Sequence, residues 1–298
     1  MPLTTTRALV DRAAARGEAV VAFNVITLEH IEAVLDGVRA TGRPVILQIS
    51  ENAAAYHGGR PEPLAAAAAH CAEQSAVEAA LHLDHVKDEE LLHRAADAGF
   101  SSAMFDAAQL PYAANVQATR RAADWAHRNG LWLEAELGEV GGKDGQPPLD
   151  AHAPAARTDP AEAVRYVAET GVDALAVAIG STHAMTSRDA VLDHGLLGEL
   201  RAALAVPLVL HGSSGVPDDE LGRAVRGGIA KVNIGTALNV ALTAAVRDHL
   251  DRHPDAVDPR RYLDAGRTAM AAAAARLTQA VAQASQVSPA SPAPAVTA

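Results

Sequence analysis

The sequence predicts an α/β chain folded as one (β/α)8 barrel, and three observations carry that expectation. Eight short apolar runs alternate with eight stretches of helical periodicity, the pattern of parallel strands buried on both faces and joined by helices. Gly42, Gly99, Gly130 and Gly171 each stand between a helical stretch and the next apolar run, where a left-handed helix cap belongs. The first apolar run is followed by Asn24-Val25-Ile26-Thr27, without the glycine-rich turn expected of an open, doubly wound sheet.

Taken in order, the strands are expected at Val20–Val25, Val45–Ser50, Ala79–Val86, Ser102–Ala107, Leu131–Leu137, Ala174–Gly180, Pro207–Gly212 and Lys231–Thr236. Each is a run too short for a core helix and rich in Val, Leu, Ile and Ala. The helices are expected at Leu28–Ala40, Pro63–Gln74, Asp88–Ala98, Pro111–Asn129, Pro160–Thr170, Gly195–Ala205, Asp218–Arg226 and Leu238–Leu250. Thr158-Asp159-Pro160-Ala161 reads as a helix start, with Asp159 capping and proline in the first turn. Asp258 to Gln283 is an additional helix after closure. The domain spans residues 1–283, and the Pro/Ser/Ala-rich segment 284–298 reads as a disordered tail.

The 298 residues are 49% hydrophobic but only 3% aromatic, so small aliphatic side chains must build the core. A formal net charge of −11 argues against nonspecific binding to nucleic acid or an anionic membrane. One cysteine, Cys71, excludes an intrachain disulfide and suits a reducing compartment; in its Ala-rich helical stretch it reads as buried filler. Met1-Pro2-Leu3-Thr4 has no basic start followed by an apolar run, and no segment approaches a membrane span. A cytoplasmic location is expected.

The carboxyl ends of barrel strands converge on one rim, where active sites of this fold lie. Here those ends carry Asn24, Ser50, Asp84-His85, Asp106, Glu134 and Glu136, Ser181 and His183, His211, and Asn233 and Thr236. The strand bodies are apolar, so gathering imidazoles, carboxylates and amides at one rim has a chemical reason. Alternation puts His82 and Asp84 on one strand face, with His85 where the chain turns. His85, His183 and His211 together match the three-nitrogen set that holds a catalytic divalent metal, and Asp106 and Glu136 add oxygens as alternative ligands or orienting partners. The other ten histidines fall mostly in helical stretches and read as surface residues. Two glycine turns, His211-Gly212-Ser213-Ser214-Gly215 and Asn233-Ile234-Gly235-Thr236, suit a phosphate. Val140 to Gly145 has the glycines of a mobile lid, and its composition suits a long surface connection equally well.

Asp84-His85, Glu134-Ala135-Glu136-Leu137-Gly138 with Gly141-Gly142, Gly180-Ser181-x-His183, Leu210-His211-Gly212 and Lys231-Val232-Asn233 together resemble the class II, metal-dependent ketose-bisphosphate aldolases. These include fructose- and tagatose-bisphosphate aldolases. The resemblance runs from Ala22 to about Leu263. It implies that His85, His183 and His211 bind a catalytic Zn²⁺, with Co²⁺ or Fe²⁺ as other ions the imidazoles accept, and that Asp106 and Glu136 offer a second resting place. It implies Asp84 as the proton shuttle on the aldehyde side and Asn233 as holder of the ketone half. Gly212, Ser213, Gly235 and Thr236 match the neighbourhood of the dihydroxyacetone phosphate group, while Asn24 and Ser50 match the middle and far end of the substrate. Arg260, in Asp258-Pro259-Arg260, matches an arginine that reaches a neighbouring subunit's site, which implies a homodimer, or a homotetramer built from it.

Some positions depart from the family pattern. Ala184 follows His183 where glycine is common, and Met185-Thr186-Ser187-Arg188 replaces an aromatic and a lysine. Gly235 stands where Asp or Asn is frequent, and Lys143-Asp144 takes the place of an acidic pair, leaving Asp144 as the ketone-side proton shuttle. The competing readings are a sugar-phosphate sensor without catalysis and a metal-dependent barrel hydrolase. A Schiff-base aldolase needs a lysine inside the rim, and only Lys87 is arguable among Lys87, Lys143 and Lys231.

Overall fold

The computed structural model describes residues 3–141, 150–153 and 156–283. Eight parallel strands close into a barrel in sequence order, with β8 returning to pair with β1. They are β1 (Val20–Asn24), β2 (Val45–Ser50), β3 (Ala79–Val86), β4 (Ser102–Phe105), β5 (Trp132–Leu137), β6 (Ala174–Val177), β7 (Leu208–Leu210) and β8 (Ile229–Ile234). All eight expected strands are present. Five stop short of their expected ends, because Val25, Asp106, Ala178 to Gly180, His211 and Gly235 have already left the ladder to form the rim loops. The last strand also begins two residues early, at Ile229.

The helices are α1 (Thr6–Ala15), α2 (Leu28–Arg39), α3 (Glu51–Tyr56), α4 (Glu62–Gln74), α5 (Glu89–Leu92), α6 (Tyr112–Arg128), α7 (Pro160–Thr170), α8 (His194–Ala203), α9 (Asp218–Arg226), α10 (Thr236–Arg252) and α11 (Pro259–Gln283). Asp159 caps α7 as expected, its side chain accepting from Glu162 N at 2.7 Å. The helix expected over Asp88–Ala98 is only α5. Beyond it the chain tightens into i→i−3 turns, Arg94 to Leu91 and Ala95 to Leu92, while Arg94 is drawn sideways onto Glu62 and the carbonyl of Gly59. Helices α1 and α3 were not expected. Cys71 is half-buried, and among the described residues no helix is long and apolar enough to cross a membrane.

Alternation along the strands divides the interior. Residues such as Phe23, Leu47, Leu81, Leu133 and Val232 face the helices and build the main core. Val20, Ala22, Ile46, Ala80, Trp132, Ala174, Ala176, Val209 and Ala230 fill the barrel floor, where Leu9, Val10 and Ala13 of α1 pack against them. Above this apolar floor lies a buried polar layer of Gln48, His82, Glu134 and Lys231, and above that the rim.

Gly37 of α2 marks a close helix crossing: a Cβ there would lie 2.2 Å from the backbone oxygen of Ala271 on α11. Alanine normally favours a helix interior by about 1 kcal/mol, but a backbone oxygen has no rotamer to give way. Gly37→Ala is expected to lower stability by roughly 1–3 kcal/mol, read as an earlier midpoint in urea unfolding. An unchanged or later midpoint would show that α11 is free to shift.

Candidate active site

Each histidine reaches the centre by a different local device. His82 and Asp84 face inward by alternation, so His85 would face outward if β3 continued undistorted. Instead His85 has φ 50°, and the β3–β4 register shifts between Leu83 and Val86. Such an irregularity re-aims one side chain, and it brings the His85 ring to 4.9 Å from that of His183 and 4.8 Å from that of His211. His183 follows β6 on a loop whose Ala184 also has positive φ, 57°, with its backbone N–H donating to Gly141 O at 2.6 Å. His211 follows β7 directly. Ligand atoms from His85, Glu136, His183 and His211 all lie within 4.8 Å of one another.

The partners of these rings are carboxylates. His85 Nδ1 lies 3.0 Å from Asp106 Oδ2. His211 Nε2 lies 2.8 Å from Glu134 Oε1 and its Nδ1 3.0 Å from Glu136 Oε2. Glu134 in turn accepts from Lys231 Nζ at 2.8 Å. Burial alone would lower the pKa of His211; hydrogen bonds and charge from the two glutamates override it and raise it to about 9. Burial likewise disfavours ionised Asp84, yet the positive charges around it, led by His85 and His211, hold its carboxyl at about 2. Asp84 Oδ2 accepts from Asn24 Nδ2 at 2.9 Å and Gln48 Nε2 at 3.3 Å.

These groups sit at the edge of a cavity of about 410 Å³. Its walls bring together Asn24, Ser50, Asp84, His85, Asp106, His183, Gly212, Ser213, Asn233, Gly235 and Thr236. Both amide atoms of Asn233 are buried without a protein partner among the described residues, as expected of a side chain that awaits a ligand. Gly212 has φ 65°, and a Cβ there would press within 2.5 Å of Thr182 O, so the turn needs glycine. Ser213 Oγ donates to Leu210 O at 3.0 Å and Ser214 Oγ accepts from Ala237 N at 3.1 Å. Ser213 therefore ties the turn to the end of β7, and Ser214 braces it against the first turn of α10. Arg260 is not brought to this cavity: it begins α11, 89% exposed, paired with Asp258 at 2.8 Å. Asp144 lies outside the described residues, as do most of the expected lid and the expected tail.

Residues 4–286 match the family described as fructose-bisphosphate aldolase class-II. The chain belongs to this family. The YdjI aldolase from Escherichia coli K12 is 30% identical, with a TM-score of 0.79 over 93% of this chain and 96% of that one. A solved structure from Coccidioides immitis is 26% identical, with a TM-score of 0.80 over 95% of this chain and 98% of that one. A fructose-bisphosphate aldolase from Campylobacter jejuni, 22% identical, shares the fold with a TM-score of 0.78 over 94% of this chain and 95% of that one.

Class II aldolases are metal-dependent lyases, and the donor set of this aldolase fits a divalent ion. Asp106 engages Nδ1 of His85, which leaves Nε2 for a metal; Glu134 engages Nε2 of His211, so the nitrogen that would serve a metal is Nδ1, on the side facing Glu136, itself one of the converging ligands. A carboxylate behind each ligating imidazole is the usual means of fixing its tautomer and orientation. Of the five expected ligands, four converge, while Asp106 stands behind His85. His30, expected at the surface, is buried, whereas His82 is buried in its strand as expected. Sequence reasoning also assigned no role to Gln48, Glu134 or Lys231. Their signal was a polar residue inside an otherwise apolar strand. Lys231 was expected to open its strand, away from the rim; because β8 begins two residues earlier, at Ile229, it is buried within the barrel and paired with Glu134, the partner of His211.

Proposed function

We propose that this aldolase uses Zn²⁺ to cleave a ketose 1,6-bisphosphate reversibly, fructose or tagatose bisphosphate or a related ketose phosphate, into dihydroxyacetone phosphate and an aldehyde. The observation that carries the proposal is the convergence of three imidazoles and Glu136 beside an ionised, doubly hydrogen-bonded Asp84. His85, His183, His211 and Glu136 would hold the ion, which supplies a Lewis acid for the charge that develops on the ketone half.

The rest follows from the chain's own groups. Asp84 accepts the proton of the substrate hydroxyl, whose oxygen becomes the aldehyde carbonyl as the carbon–carbon bond breaks. The bond's electron pair stays with the ketone half and is later protonated, the role expected of Asp144. Asn24 and Gln48 fix the orientation of Asp84 before the reaction, so that little is spent on reorganisation. Asn233 donates to the ketone half. The Gly212–Ser213 turn and the start of α10 at Thr236 offer backbone N–H groups to its phosphate. Met185 lies on this turn, since a Cβ at Gly215 would meet its Sδ at 2.4 Å, and it shapes the phosphate end where the family more often has other residues. Arg260, exposed on α11, would serve a second subunit of a homodimer or homotetramer. The reaction belongs to carbohydrate metabolism, at the aldol step of glycolysis or a parallel sugar route, in the cytoplasm.

Proton exchange on dihydroxyacetone phosphate in deuterated water tests the ketone half without knowledge of the aldehyde. Stereospecific deuterium uptake seen by NMR, abolished by EDTA and restored by Zn²⁺, is the expected result. Metal-loaded protein that exchanges nothing would exclude this ketone donor.

A further inference from the structure

Asn239 lies one turn into α10 and lines the cavity, yet none of the roles above uses it. Its side-chain carbonyl faces His30, with Oδ1 3.1 Å from Nε2. The other ring nitrogen, Nδ1, lies 3.0 Å from Thr27 Oγ1. Because Oδ1 only accepts, Nε2 must carry the proton, and Nδ1 then accepts from the Thr27 hydroxyl. Thr27 makes no side-chain cap bond to α2, the helix it precedes, so its hydroxyl is free for this use. His30 is 2% exposed, and burial lowers its pKa, which keeps it in the neutral form that this chain of bonds requires. The chain fixes the direction of the amide: the carbonyl is turned to the protein, and the NH₂ of Asn239 has no protein partner among the described residues.

We propose that Asn239 is a specificity residue for the aldehyde half of the substrate, its NH₂ donating to an oxygen carried beyond the reacting carbonyl. His30 and Thr27 act through it as positioning residues. The inference rests on the aldolase reading above and adds to it which part of the substrate is selected and by what. The placement follows from the strands. The phosphate turn occupies the β7–β8 side of the cavity, whereas Asn239 is tied to α2, directly after β1. The tip of β1 is Asn24, which holds the carboxylate that receives the aldehyde-side proton. A Cβ at Gly235 would meet Asn24 Oδ1 at 3.0 Å, so glycine at 235 keeps a further side chain away from Asn24. An uncharged double donor suits either a hydroxyl or an anionic oxygen.

The test is condensation of dihydroxyacetone phosphate with propanal, glyceraldehyde and glyceraldehyde 3-phosphate. Asn239→Leu is expected to lower kcat/KM for the two oxygenated aldehydes roughly tenfold relative to propanal. Loss with the phosphorylated aldehyde alone assigns the donor to an anionic oxygen; equal loss with glyceraldehyde assigns it to a hydroxyl. His30→Phe should shift the same ratio in the same direction. The double variant should go no further than Asn239→Leu, and His30→Gln, whose amide can donate in place of the ring, should recover part of the loss. A uniform fall across the three aldehydes would show a structural role only and overturn the inference. Wild-type protein that exchanges the ketone proton while the variants leave the ratio unmoved overturns this inference alone. Wild-type protein that exchanges nothing overturns the aldolase reading beneath it.

Discussion

Asp84→Asn should cut the rate of carbon–carbon cleavage by about 10²–10⁴-fold, the usual contribution of a positioned general base, without unfolding the protein. The surroundings are suited to an amide. Asn24 and Gln48 both donate toward Oδ2, so the new side chain presents its oxygen there. The opposite atom then lies near His82 Nε2, which is 3.9 Å from Asp84 Oδ1. Ser102 Oγ donates to Thr6 Oγ1 at 2.6 Å, and the same oxygen receives Nδ1–H of His82 at 2.7 Å. Burial, with the charge of Lys231, holds the His82 pKa at about 3, so Nε2 is an unprotonated acceptor, ready for an amide N–H. Proton exchange on dihydroxyacetone phosphate, which does not use Asp84, should persist within about tenfold of wild type, since the variant loses no more than an orienting charge there. Cleavage in Asp84→Asn within tenfold of wild type would remove Asp84 from the mechanism.

Replacing His211 should damage the protein twice over. Its ring separates Glu134 from Glu136, and all three side chains are fully buried. His211→Ala leaves two carboxylates facing each other with Lys231 paired to only one of them. Removing one member of a buried charge cluster costs about 3–5 kcal/mol, which in a chain of this size lowers the melting temperature by roughly 10 °C. The same change removes a metal ligand, so Zn²⁺ content after dialysis should fall well below one per chain. Calorimetry and elemental analysis on one sample read both effects. A variant that melts with wild type and retains its metal would place the ion elsewhere.

The barrel was legible because its strands are apolar runs punctuated by glycine, and the rim because polar residues end those runs. What sequence could not show was direction. Strict alternation turns His85 away from His211; only the positive φ at residue 85 and the register shift beside it bring the two together. The role of Lys231 depended on a strand boundary two residues from its expected place. Asp106 read both as an alternative ligand and as an orienting partner of a histidine, because composition cannot distinguish a carboxylate that touches a metal from one that steadies an imidazole. His30 read as a surface residue because its helix is amphipathic, and its partner Asn239 is more than two hundred positions away along the chain. Helix α1 escaped notice since it belongs to no strand–helix unit.

That first helix has a bearing on how the molecule assembles. The floor of the barrel is lined largely by alanines, too small to meet across the centre, and Leu9 and Val10 supply the missing volume. Helix α1 rests on β1, β3 and β8, so its seat is incomplete until β8, more than two hundred residues further on, has been made. Helix α1 is therefore made well before its seat is complete, and closure of the strands without it would leave a void beneath the catalytic layer.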